Sequence, residues 1–270
     1  DNVGSGIREV GGVGGGGTIS IKNPTTNSEG FDVSSLVLPD SQRELFEAIV
    51  ATGKPVITVL STGYQRVIVN EYRKSSAFLQ AWYSGEQGGN ALADILFGDV
   101  NPSGKLAASL PQSDGHIPCY YNHRVSGRGS LYRRHGSLEA PGRDYVFSSP
   151  DAFLSFGYGM SYTTFGYSDL KVRKTGDASV EVKVTVQNTG NRDGEEVVIV
   201  FVKSEYSESV PYEKQLKAFD RVFLKAGQKK TVKFNLDQSA FTIIGRDYKK
   251  KINYGRHFVL IGDKKAVIEL

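Results

Sequence analysis

Side chains able to transfer a proton near neutrality are scarce in this chain. The four histidines, His116, His123, His135 and His257, are dispersed and show none of the close spacing that a metal site needs. Cys119 is the only cysteine. It sits in an Ile-Pro-Cys-Tyr-Tyr run with no base beside it to draw out a thiolate, so it reads as packed chain. Carboxylates remain: Glu9 in Ile-Arg-Glu-Val, Glu29 in Ser-Glu-Gly-Phe-Asp, and Glu86 in Trp-Tyr-Ser-Gly-Glu. A glutamate on a long loop can reach a substrate held elsewhere and give or take its proton. Glu86 stands just before a helical pattern and suits the positive end of a helix dipole instead. Trp82 has a face that could stack on a sugar, although a tryptophan at a sheet end also serves as core.

Two patterns point away from nucleotides. Residues 12–17 formally contain G-x-G-x-x-G, but Thr18-Ile19-Ser20-Ile21 after them is β-like and Pro24 follows. A dinucleotide loop must leave a strand and open a helix. The basic stretch around His123-Arg124, Arg128, Arg133-Arg134-His135 and Arg143 has no nucleic-acid fold around it and reads as a loop gripping its neighbours. A net charge of +4 on 270 residues requires neither a nucleic-acid nor a lipid partner. Hydrophobic residues at 39% and charged ones at 23% are the balance of a globular protein of about two domains. No apolar run approaches the roughly 20 residues of a membrane helix. Asn23 and Asn101 are each followed by proline, which spoils the glycosylation acceptor and disfavours a glycosylated eukaryotic secreted protein. The chain begins at Asp1 and its sole methionine is Met160, so it is expected to be cut from something longer, periplasmic or secreted from a bacterium.

The positioning elements follow from periodicity. Ser41-Gln42-Arg43-Glu44 has the form of a capping box, Leu45, Phe46 and Ile49 recur at helical spacing, and Gly53 supplies a stop. Pro55–Leu60 is a continuous apolar run, expected to be a strand buried on both faces. Ala77–Trp82 is a second strand, and Ala91, Leu92, Ile95 and Leu96 mark a second helix that stops at Gly98. This order predicts an α/β layer with a mainly parallel sheet, whose ligands bind beyond the carboxyl ends of the strands, at Thr62-Gly63 and residues 82–86. Residues 112–165 are irregular. Beyond Tyr167, alternation at Val180–Val186 and short runs at 197–202, 231–234 and 258–261 predict an immunoglobulin or fibronectin type III sandwich.

Four segments in order, residues 81–91, 96–106, 118–123 and 156–165, make the chain resemble the C-terminal region of family 3 glycoside hydrolases, the β-glucosidase and β-xylosidase family. Gln215–Phe219 within the β-rich tail resembles the fibronectin-like domain of the same family. The resemblance implies a partial α/β sandwich with flanking helices over 1–125, a long linking loop over 126–165 and a fibronectin type III-like domain over 166–270. It further implies a (β/α)8 barrel, absent here, that carries the aspartate nucleophile of a retaining reaction. By the same resemblance, Ser28-Glu29-Gly30-Phe31-Asp32 ahead of Leu36-Val37-Leu38-Pro39 matches the family's acid/base stretch. That puts Glu29 in the role, with Ser28 in place of the usual glycine; the alternative is an exposed surface glutamate. Glu9 is the rival, although the adjacent Arg8 would lower its pKa, the wrong direction for an acid. The expected activity is exo-hydrolysis of terminal β-linked sugars by a β-glucosidase, without cofactor or metal. The expected partners are a barrel-bearing N-terminal chain or fragment and an oligosaccharide or β-glycoside. The competing readings are β-xylosidase or α-L-arabinofuranosidase activity, and a non-catalytic carbohydrate-binding or adhesion module.

Overall fold

The computed structural model describes residues 33–125, 135–142 and 145–270, with the backbone alone at 9–11 and 18–20. Glu9–Gly11 (β1) and Thr18–Ser20 (β2) form an antiparallel pair with Glu9 opposite Ser20. The Gly-rich residues 12–17 therefore join two strands of a hairpin and open no helix.

Helix α1 spans Asp40–Val50. Its start corrects the expected capping box. Pro39 is the N-cap, with no side-chain cap bond, and its carbonyl accepts from the amides of both Gln42 and Arg43 at 3.0 Å. Ser41 is thus already inside the first turn. Gly53, at φ +73°, closes the turn that follows. Ile57–Leu60 (β3), Val69–Lys74 (α2) and Ala77–Gln80 (β4) then form a β-α-β unit, with the strands parallel from Ile57 opposite Ala77 to Leu60 opposite Gln80. Tyr72 of α2 lies on Phe78, ring centroids 5.8 Å apart, and covers one face of the pair. Helix α3, Gly88–Phe97, ends as expected at Gly98 with φ +85°.

The mainly parallel sheet is present only in part. Among the described residues the parallel ladder consists of β3 and β4, extended by an isolated bridge between Val37 and Val67. Nor is β3 buried on both faces: Ile57 is 53% and Val59 36% exposed. Helix α1 likewise buries Phe46 and leaves Leu45 and Ile49 exposed. No described element packs on this side.

From Gly98 to Thr164 the chain is largely irregular, as read from sequence, with a 3-10 turn at Asp114–His116. It is held by pairing across a long loop. Leu110 and Leu154 exchange backbone hydrogen bonds of 2.8 and 2.9 Å, and Leu106 accepts from Gly157 and donates to Tyr158 at 2.8 Å.

The remainder is a β-sandwich. Phe165–Gly176 (β5), Ser179–Asn188 (β6), Gly194–Ser204 (β7), Gln215–Leu224 (β8) and Lys229–Leu236 (β9) come first. Thr242–Ile244 (β10) and Lys250–Ile252 (β11) form a side hairpin, and Arg256–Ile261 (β12) and Lys264–Glu269 (β13) close the chain. One sheet runs β5-β6-β9 and the other β13-β12-β7-β8. Alternation puts Val180, Val182, Val184 and Val186 of β6 against Val198, Val200 and Val259 of the facing sheet, all at most 1% exposed.

Candidate functional site

The carboxyl ends of β3 and β4 and the loops beyond them meet at one place. The Ser61 hydroxyl donates to the Trp82 carbonyl at 2.9 Å and ties the two loops together. Trp82 holds φ +55°, a left-handed conformation that costs a bulky residue about 1–3 kcal/mol, and such outliers gather where function or dense packing demands them. Its consequence is to turn Tyr83 back over Gly63. A Cβ on Gly63 would stand 2.8 Å from the Tyr83 ring, so glycine is needed there, and the ring remains 66% exposed. Trp82 itself is half-buried, between the core and sugar-stacking readings. Glu86 is exposed just ahead of α3, consistent with the dipole role.

Alongside these loops the root of the segment that carries Glu29 is fastened twice. The Asp114 carboxylate accepts from the Ser35 hydroxyl and from the Leu36 amide, both at 2.7 Å. These two bonds hold the Asp114 carboxyl below the usual carboxylate range. On the other side the Val67 amide donates to the Leu36 carbonyl at 3.0 Å, and the buried Arg66 donates to the Val37 carbonyl at 3.2 Å. Arg66 also lies over the Tyr64 ring, 4.4 Å from its centroid. Glu29 itself lies outside the described residues, and for Glu9 the backbone alone is described, in β1 opposite Ser20. Asp114 and Tyr83 were not singled out by sequence. A Ser-Asp-Gly turn signals a bend, and nothing in it signals a partner 79 residues away.

Of the basic stretch, Arg124 is described and behaves as a grip. Its guanidinium donates to the Val210 carbonyl and to the Tyr212 hydroxyl, and stacks 3.7 Å from the Tyr212 ring centroid. Among the described residues no three His, Cys, Asp or Glu side chains come together to hold a metal ion.

An α/β unit whose strand-end loops adjoin a long carboxylate-bearing segment, followed by a β-sandwich, defines a domain pair of the carbohydrate-hydrolase kind. The glycosyl hydrolase family 3 C-terminal domain model matches residues 18–162, and the fibronectin type III-like domain model matches residues 196–265. The chain belongs to glycoside hydrolase family 3. It is 38% identical to a periplasmic beta-glucosidase of Salmonella typhimurium over 239 residues, 87% of this chain and 31% of that protein. It is 39% identical to a beta-xylosidase of Formosa agariphila over 252 residues, 91% of this chain and 33% of that protein. The crystal structure of a beta-glucosidase from Listeria innocua in complex with isofagomine superposes with a TM-score of 0.80 at 33% identity, covering 88% of this chain and 34% of that one. The chain thus spans about a third of the length of these relatives.

Proposed function

We propose that this chain is the C-terminal part of a retaining exo-β-glycosidase and delivers its general acid/base, Glu29, to a sugar seated on a (β/α)8 barrel that these 270 residues do not contain. The units that go with this reading are 1–125, the second part of an α/β sandwich; 126–165, a linking loop; and 166–270, the fibronectin-like domain. The observation that supports it best is the double fastening of Ser35–Val37, by Asp114 and by Arg66 with Val67, beside the ends of β3 and β4. Glu29 lies six residues before Ser35, so an extended chain lets it stand up to roughly 20 Å from that root. Such a reach suits a carboxyl group that must meet a second one, on another domain, at about 5–5.5 Å across the glycosidic bond.

In the first half-reaction the barrel's carboxylate attacks the anomeric carbon while Glu29, protonated, gives its proton to the leaving oxygen. In the second, Glu29 as carboxylate takes a proton from the water that releases the sugar. A Glu29→Gln change in the full-length protein is expected to lower turnover of glycosides with poor leaving groups by about 10²–10⁴-fold. Dinitrophenyl glycosides, which need little protonation, should lose far less. With Glu29→Ala, azide should restore turnover and appear in a β-glycosyl azide. Equal losses across the leaving-group series, with no azide product, would remove Glu29 from the role. The 270 residues alone should leave an aryl β-glycoside intact, and adding the barrel should restore hydrolysis.

The Salmonella relative favours β-glucosidase activity, and the Formosa relative, at 39% identity, keeps β-xylosidase activity beside it. Relative kcat/KM on 4-nitrophenyl β-glucoside and β-xyloside decides between them. The non-catalytic alternative predicts sugar binding that survives Glu29→Gln and no hydrolysis by the full-length protein.

A further inference from the structure

The outward face of the β5-β6-β9 sheet is built from cations and amide or hydroxyl side chains. Strand register sets Lys171 opposite Lys183 and Lys183 opposite Lys233, so three lysines lie in a single row across three strands. The next row is Arg173, Glu181 and Asn235, and two rows to the other side lies Lys229, opposite Gln187. Between them Thr185 faces Thr231 and Ser168. The apolar residues of these strands all alternate to the inner face, so the outer one carries no aliphatic or aromatic side chain.

The lysine row does nothing for the fold. Like charges directly opposite on neighbouring strands stand about 5 Å apart at Cβ and are destabilising. Glu181 relieves the crowding in part, bonded to Lys183 at 2.9 Å and to Arg173 at 3.2 Å. No carboxylate among the described residues lies within ion-pairing distance of Lys171, Lys229 or Lys233, and all three are exposed. Asp169, on the bulge at the rim, accepts instead from the Ser168 hydroxyl at 3.0 Å. Five cations on one face are notable in a chain whose whole formal charge is +4.

We propose that this face binds an anionic polysaccharide, its lysines meeting the carboxylate or sulfate groups and the interleaved Thr185, Thr231 and Asn235 bonding sugar hydroxyls. Charge complementarity selects a polyanion. The absence of aromatic side chains removes the platform on which single-stranded nucleic acids stack their bases, and the absence of apolar ones removes what an interfacial anchor buries in a bilayer. The proposal concerns a surface away from the strand-end loops and stands whether or not Glu29 is the acid/base.

The test is affinity electrophoresis of the full-length protein through gels containing polygalacturonate, or a neutral glucan at equal mass. Polygalacturonate alone should retard the protein, and sodium chloride should relieve the retardation. Lys171→Gln/Lys183→Gln/Lys233→Gln should weaken binding about tenfold or more, through the loss of the local field, while turnover of a small aryl glycoside stays unchanged. A control that removes the same charge elsewhere, Lys54→Gln/Lys225→Gln/Lys249→Gln, should bind almost as the parent does. If the triple variant folds poorly, Lys171→Gln/Lys233→Gln leaves the Glu181–Lys183 pair in place and serves the same purpose. Equal retardation by the neutral glucan, an equal loss in the control, or tighter binding to DNA or to anionic lipid vesicles would each overturn the proposal.

Discussion

Lys105, in the linking segment, puts a cation into the seam between the α/β unit and the sandwich. Its ammonium lies 3.1 Å from the Glu196 carboxylate and donates to the Gly159 carbonyl at 3.0 Å, and the Tyr167 hydroxyl donates to the other Glu196 oxygen at 2.7 Å. Burial, then the Glu196 charge and bond, push the Tyr167 hydroxyl well above its ordinary pKa. With side chains only 15% and 9% exposed, the Lys105–Glu196 pair is costly to break from one side, because the survivor stays buried without its counter-charge. Lys105→Met is expected to cost about 3 kcal/mol in urea unfolding, and Lys105→Met/Glu196→Gln to recover most of it. His257 gives a second, opposite handle. Fully buried, with Asn253 O at 2.7 Å and the Ser204 hydroxyl at 3.1 Å, it is held neutral by desolvation, which lowers its pKa below 6.5. The unfolded chain takes up a proton below that value and the native one does not. Stability should therefore fall as pH drops from about 6.5, by up to about 1.4 kcal/mol per pH unit, and His257→Gln should flatten that dependence.

Among elements, legibility followed burial on one face. β6, β7, β9 and β12 were readable because their inner residues alternate without interruption. β5 was not, since its register shifts between Ser168 and Lys171 and Leu170 turns inward out of phase. β8 was missed because its outward Phe219 and Phe223, 67% and 52% exposed, blur the alternation. α2 has six residues, too few for a 3.6-residue period to declare itself, and it buries a glutamate, Glu71. In the α/β unit the apolar run at Pro55–Leu60 was rightly read as a strand, but its company was misjudged. A two-stranded parallel ladder with Ile57 and Val59 exposed is marginal by itself. In the isolated chain the β3 and β4 amides should exchange with deuterium well before those of β6 and β7, and should slow when the barrel-bearing part is present. Equal protection in both samples would show that the ladder needs no further cover.

At the scale of the whole molecule, the linking segment joins the two units as well as connecting them. Asn101 donates to the Asp193 carbonyl at 2.9 Å while its side-chain oxygen accepts from the Ser161 hydroxyl and the Tyr162 amide at 2.8 Å. Arg192 reaches back to the Gly98 carbonyl at 2.7 Å. Residues 96–106 and 156–165, which carried the family resemblance, are thus in large part a docking surface for the sandwich. A motif of this kind is visible in sequence, but the contact it makes is not, because Asn101 and Asp193 are 92 positions apart. The same holds for the candidate site. Glu29 was legible as a motif, whereas the Asp114 fastening of its root was not.

The pairing of Leu106–Leu110 with Leu154–Tyr158 has a practical corollary. Because that closure is held at its ends, the excursion between them can change length without moving either unit, and each doubling adds only about 0.6 kcal/mol of closure entropy. At its Ser137–Ala140 turn Leu138 is 78% exposed, and the Ser137 amide donates to the Ala140 carbonyl at 3.0 Å. Between Leu138 and Glu139 a foreign peptide or a whole guest domain could be spliced in while the host stays folded.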